Sequence, residues 1–222
     1  NGYAGLTTVS AGALRVSHAD ALGGAAAGTV VESGAALELS GGITVAGEGL
    51  ILNGTGVGGA GALRNISGVN LWNGGLQLNS TSALTVVSDG GSLKLRGGIT
   101  LAGGTPPTFQ GNGHIFIETS MGGGFTRGSG AGDVLVTGLS AITGDVTVAS
   151  SATGALKVEG SLQGQVALAG GQLTGTGSVQ AVTQTGGTIS PQASGVGRLS
   201  MTALALSGGA YQVTISNGAG IA

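Results

Sequence analysis

The stretch Thr29-Val30-Val31-Glu32-Ser33-Gly34-Ala35-Ala36-Leu37-Glu38-Leu39-Ser40-Gly41-Gly42-Ile43-Thr44-Val45-Ala46-Gly47 returns 56 residues later as TVVSDGGSLKLRGGITLAG (85–103), with twelve of nineteen positions identical. A shorter phrase recurs as GALRV (12–16), GALRN (61–65) and GALKV (154–158). Within and beside these phrases a charge stands between two aliphatics: Leu14-Arg15-Val16, Leu37-Glu38-Leu39, Leu93-Lys94-Leu95 and Leu156-Lys157-Val158. Side chains alternate faces along a strand, so the aliphatics point one way and the charge points to solvent. Leu76-Gln77-Leu78, Val166-Ala167-Leu168, Leu204-Ala205-Leu206 and Val213-Thr214-Ile215 are uncharged versions. Gly or Asn beside most of them supplies the turns.

Strands of three to five residues are too short to fold alone. Stacking each coil on the last buries what a single coil cannot. The triplets recur at intervals that fit coils of two or three strands each. A narrow interior takes ladders of Leu and Val better than bulky rings. The expectation is an all-β parallel β-helix: roughly nine to eleven coils at about 4.8 Å each, a rod of about 50 Å. An antiparallel sandwich also uses many short strands, but gives no reason for the 56-residue repeat.

Composition agrees with strands and turns. Gly supplies 50 of 222 residues, charged residues only 7% and aromatics 3%. No Gly-X-Y period is present, which excludes collagen. A chain that is 41% hydrophobic and nearly uncharged does not have the composition of disorder. No apolar run of about 20 residues marks a membrane helix, and no basic-then-apolar leader is visible. The net charge is -2 with scattered bases, so no nucleic-acid partner is expected. Cysteine is absent. That removes disulfides and thiolate chemistry and suits a chain exported unfolded through an oxidising compartment.

Tyr3-Ala4-Gly5-Leu6-Thr7-Thr8-Val9-Ser10-Ala11-Gly12-Ala13-Leu14-Arg15-Val16 resembles the autotransporter-associated β-strand repeat. Ala21-Leu22-Gly23, followed by Val30, Gly34, Leu37 and Leu39, is similar to the second half of that repeat, and 61–74 to another recurring phrase of the same passengers. Gly187-Thr188-Ile189-Ser190-Pro191, then Ser194, Gly197, Leu199 and GGAYQVTI (208–215), resembles the late passenger region. Gln192 stands there where that pattern has Gly. The resemblance covers most of 1–103 and 160–217. It implies a right-handed parallel β-helix, with 1–222 as one passenger fragment and 187–222 as late-passenger coils. It further implies type V export and a C-terminal outer-membrane barrel outside this fragment. The expected place is the surface of a Gram-negative bacterium, or secreted after cleavage. The expected role is a stalk or adhesin segment, with a host receptor, a glycan or self-association as the contact. A polysaccharide-processing β-helix and a passive stem for an upstream effector are the alternatives.

Chemistry-bearing residues are few. His18 stands two residues from Asp20 in a turn, and His114 precedes Ile115-Phe116-Ile117-Glu118 as a solvent-facing strand residue. General acid–base and metal chemistry need convergent groups. No catalytic, cofactor-binding or metal residue is therefore assigned, and no enzyme is expected. A polysaccharide enzyme would need two acids and a base brought together from adjacent coils. Gly54-Thr55-Gly56-Val57-Gly58-Gly59 matches GxGxxG without a βαβ context, and Gly130-Ala131-Gly132-Asp133 has the wrong spacing for a calcium roll. The sequons at Asn53, Asn65 and Asn79 read as turn residues, and Trp72 as half-buried beside a turn. The least repetitive segment, 105–128, holds all three Phe: 109, 116 and 125. It reads either as an excursion projecting a binding surface or as a wider coil whose interior Phe fills.

Overall fold

In the computed structural model, which describes residues 2–138, 140–191 and 198–212, the chain is a parallel β-solenoid. Its only helical piece among the described residues is the 3₁₀ turn Val57–Gly59. Three parallel sheets form three faces. The first face stacks Thr7–Val9, Thr29–Val31, Leu50–Asn53, Leu76–Asn79 and Ile99–Leu101. The second begins Gly12–Val16, Ala35–Leu39, Leu63–Asn65, Thr85–Ser88, Thr108–Gln110, Phe125–Arg127 and Val146–Val148. The third runs from Thr44–Ala46 and Val69–Asn73 through Ser92–Leu95, His114–Ile117, Val134–Val136 and Ala155–Val158 to Ala210–Tyr211, nine strands among the described residues.

Except in the end coils, where Leu14 and Leu206 are exposed because no further described coil covers them, the aliphatics of the repeated phrases fill the interior as ladders. On the first face Val9, Val31, Leu52 and Leu78 are successive register partners. On the second Leu37, Leu63, Val86 and Phe109 follow one another. On the third the ladder is Val45, Trp72, Leu95, Ile117, Val136 and Val158. Trp72 is therefore fully buried inside the rod, not half-buried beside a turn. Its neighbours above and below are a valine and a leucine, which leave room for one large ring.

The 56-residue repeat does not return to the same face. Thr29–Val31, Ala35–Leu39 and Thr44–Ala46 lie on faces one, two and three; their counterparts Thr85–Ser88, Ser92–Leu95 and Ile99–Leu101 lie on faces two, three and one. The repeat spans seven strands, which is two coils and one face. What recurs in the sequence is therefore a strand–turn unit that serves on any face.

Coil length varies along the chain, from 27 residues between the partners Val45 and Trp72 to 16 between Leu173 and Ile189, and returns to 22 between Ile189 and Tyr211. The first face shrinks to single bridges, Ile99 to Met121 and Met121 to Ile142. It then merges with the second in Ser161–Leu168, which pairs with both Ala141–Ile142 and Val146–Val148 and bends between Leu162 and Gln165. Strands there reach seven and eight residues, longer than the three to five expected.

A glycine row runs along the corner between faces two and three. Gly68 (φ 83°) and Gly91 (φ 69°) hold the left-handed conformation that glycine adopts without strain. A Cβ on Gly91 would strike the carbonyl of Gly68, one on Gly132 that of Gly113, one on Gly154 that of Gly132, and one on Gly209 that of Gly187. Two of those carbonyls accept ladder bonds, Gly68 O from Ser92 N–H and Gly187 O from Ala210 N–H, each at 2.9 Å. The coils can stack at this corner only with hydrogen as the side chain.

Residues 105–128 stack into the rod as Thr108–Gln110, His114–Ile117 and Phe125–Arg127. Phe109 and Phe125 are fully buried in edge-to-face contact, centroids 5.2 Å apart. Phe116 alternates outward and is half-buried. Of the late-passenger pattern, 192–197 and 213–222 lie outside the described residues.

Candidate functional site

The three faces present different outward chemistry. The first carries Val30, Ile51, Gln77 and Thr100 in one row. The second carries the alternating charges Arg15, Glu38 and Arg64. Glu38 accepts from Arg15 at 2.8 Å and from Arg64 at 3.2 Å, and Arg64 reaches Asp89 at 2.5 Å. Covered by its two partners, Glu38 is buried rather than free in solvent.

Polar groups inside the rod hold corners. Asn65 is buried: its amide donates to Ser88 Oγ at 2.9 Å and to Gly90 O at 2.8 Å, and its carbonyl oxygen accepts from the Asn70 amide. This asparagine is an interior strut at the end of a strand, not a turn residue. Asn79 donates to Asn53 at 3.0 Å, and Asn53 to Val31 O at 2.8 Å, forming a ladder at a corner of the first face. These groups follow from the rule that buried polar atoms need partners.

Arg127 occupies an interior ladder position between Phe109 and Val148 and is fully buried. Its guanidinium donates to the carbonyls of Gly128, Gly130 and Gly132, while its Nε has no partner. Burial pushes its pKa below the usual arginine range, and the nearby Asp133 carboxylate works in the opposite direction. The guanidinium thus gathers the turn that delivers Asp133 to the third face.

That face holds a groove of about 470 Å³ spanning three coils. Asp133, Lys157, Glu159, Gln172 and Thr174 line it, with Gly154 and Ala155 among the small residues that leave it open. Asp133 lies beside Ala155, whose N–H donates to Asp133 Oδ1 at 2.9 Å. Lys157 Nζ stands 2.7 Å from Glu159 Oε1. The Arg127 guanidinium lies directly beneath Gly154, where a Cβ would strike it. Two carboxylates therefore face one exposed and one buried cation. Next along the same outward row come Leu135 and Phe116, half-buried, with Lys94 Nζ 5.4 Å from the Phe116 ring centroid.

His114 borders this region: its Nδ1 accepts from the Asp133 N–H at 3.1 Å and lies 3.6 Å from the Asp133 carboxylate. His18 stays in an exposed turn with Asp20, far from it in sequence and bonded locally at 3.2 Å. The GxGxxG match forms the loop around Val57–Gly59. Among the described residues, no group of three or more His, Cys, Asp or Glu could hold a metal ion.

Sequence reading missed the convergence of Asp133 with Lys157 and Glu159. One signal was present: Lys157 and Glu159 are two apart in a strand-and-turn segment and so share a side. The approach of Asp133 depends on the length of the intervening coil, which no local pattern encodes. Set against known family models, curated proteins and solved structures, the chain matches none.

Proposed function

We propose that this chain is a non-catalytic rod segment of a surface-displayed passenger, a stalk whose outer faces make the adhesive contacts. The observation that carries the reading is the continuous parallel pairing of the second and third faces, from the first coils to Ser200–Leu206 and Ala210–Tyr211. The ten strands stacked on the second face among the described residues span about 43 Å at the usual strand spacing. Such a stack is stiff, because every coil is bonded to both neighbours, and it resists proteolysis for the same reason. The resemblance of the opening phrase to autotransporter repeats supports display by type V export, with the partner barrel outside this fragment.

The groove meets the spatial requirement for a polysaccharide-processing site, two acids and a base from adjacent coils. Its groups are paired with one another: Lys157 with Glu159, and Asp133 with Ala155 N–H, with His114 alongside. That arrangement favours binding over bond cleavage. The reading is tested on the natural full-length protein in its own cells. Protease added outside should cut it and release a resistant fragment containing this segment. Protection in intact cells with cleavage only after lysis overturns it.

A further inference from the structure

We propose that the third-face groove binds a neutral polysaccharide lying along the rod axis, a ligand class that deepens the reading of the rod as a contact surface and rests on it. Three independent features point there.

The first is charge. Asp133 and Glu159 are offset by Lys157 in the groove and by Arg127 beneath its floor. A site with no net charge does not select an acidic or a basic polymer. It does offer carboxylate acceptors, an ammonium donor, the amide of Gln172 and the hydroxyl of Thr174. Sugar hydroxyls both donate and accept, and match such a mixture.

The second is shape. Gly154 and Ala155 keep the floor of the groove low, and its lining comes from three successive coils, with Asp133, Ala155 and Gln172 neighbours from one coil to the next. The groove is open and crosses the strands, so it takes a chain running through rather than a compact ligand.

The third is continuity. Phe116, Leu135, Lys157 and Thr174 are successive register partners on the outside of the third face. Three coil steps cover about 14 Å. A sugar chain laid along this row meets the apolar pair Phe116 and Leu135 first and the polar groove next. Ring C–H faces pack on the former while hydroxyls bond in the latter.

The experiment uses the purified segment with cellopentaose and mannopentaose as neutral probes and trigalacturonate as the acidic one, read by titration calorimetry. At least one neutral probe should bind saturably, in the millimolar range or tighter, and trigalacturonate more weakly. Lys157→Gln, at an exposed side chain, should weaken binding about tenfold, as expected for loss of one charge-assisted hydrogen bond. Ala155→Gln should abolish it by filling the floor, and Arg15→Gln on the second face should leave it unchanged. The proposal is overturned if neither neutral probe binds, if trigalacturonate binds more tightly, or if Lys157→Gln binds like the parent. None of these outcomes depends on where the protein resides in the cell, so the display reading stands or falls separately.

Discussion

Two of the glycine rows that run along this rod are not equivalent. In the row at the corner of faces two and three, Gly91, Gly132 and Gly154 each sit against a backbone carbonyl of the coil before. Gly49, Gly75 and Gly98 on the first face also stack in register, but a Cβ on any of them would meet nothing within 4 Å. The first row is demanded by packing and, at Gly68 and Gly91, by a left-handed backbone. The second is demanded by neither. A glycine-rich composition therefore has two physical origins in one molecule, and only contact between coils separates them.

The sharpest way to break this comparison is Gly91→Val. Left-handed strain and collision with Gly68 together should cost about 4 kcal/mol, read as a large fall in the urea midpoint. An unchanged midpoint would mean that the corner relaxes freely. Polar groups divide in the same manner. Arg127→Met keeps the interior filled but deprives three carbonyls of their donor, and should cost about 3 kcal/mol. If Arg127→Met is as stable as the parent, the guanidinium does not hold the turn before Asp133. Glu38→Gln, on the outside, should cost about 1 kcal/mol, and the difference should shrink as salt is raised. Equal loss at low and high salt would show that Glu38 acts through packing rather than charge. Smallest of all, Gly49→Val and Gly75→Val should shift stability by no more than about 0.5 kcal/mol. A loss comparable to that of Gly91→Val would erase the distinction between the rows.

Much of the fold could be read locally. Leu37-Glu38-Leu39 and Leu93-Lys94-Leu95 contain their own alternation, so the inward and outward sides of those strands follow from neighbours in the chain. Trp72 and Asn65 were misplaced because nothing beside them in sequence announces that a coil above and a coil below enclose them. Asn65 is satisfied by Ser88 and Gly90, one coil away. The same limit hid the groove. Lys157 and Glu159 are close in sequence, whereas Asp133 joins them only because one coil places it beside Ala155.

The sequence by itself determined the strand–turn unit: aliphatics alternating with polar residues, ended by glycine or asparagine, and repeated. Those preferences are set within a few residues by backbone sterics and by the two-sided pleat. Only the tertiary structure decided the phase of each unit around the rod. The repeat at 29–47 and 85–103 lands one face apart because coil length is a sum over loops and corners. Which outward residues meet, whether a glycine is required and which charges pair all depend on that sum.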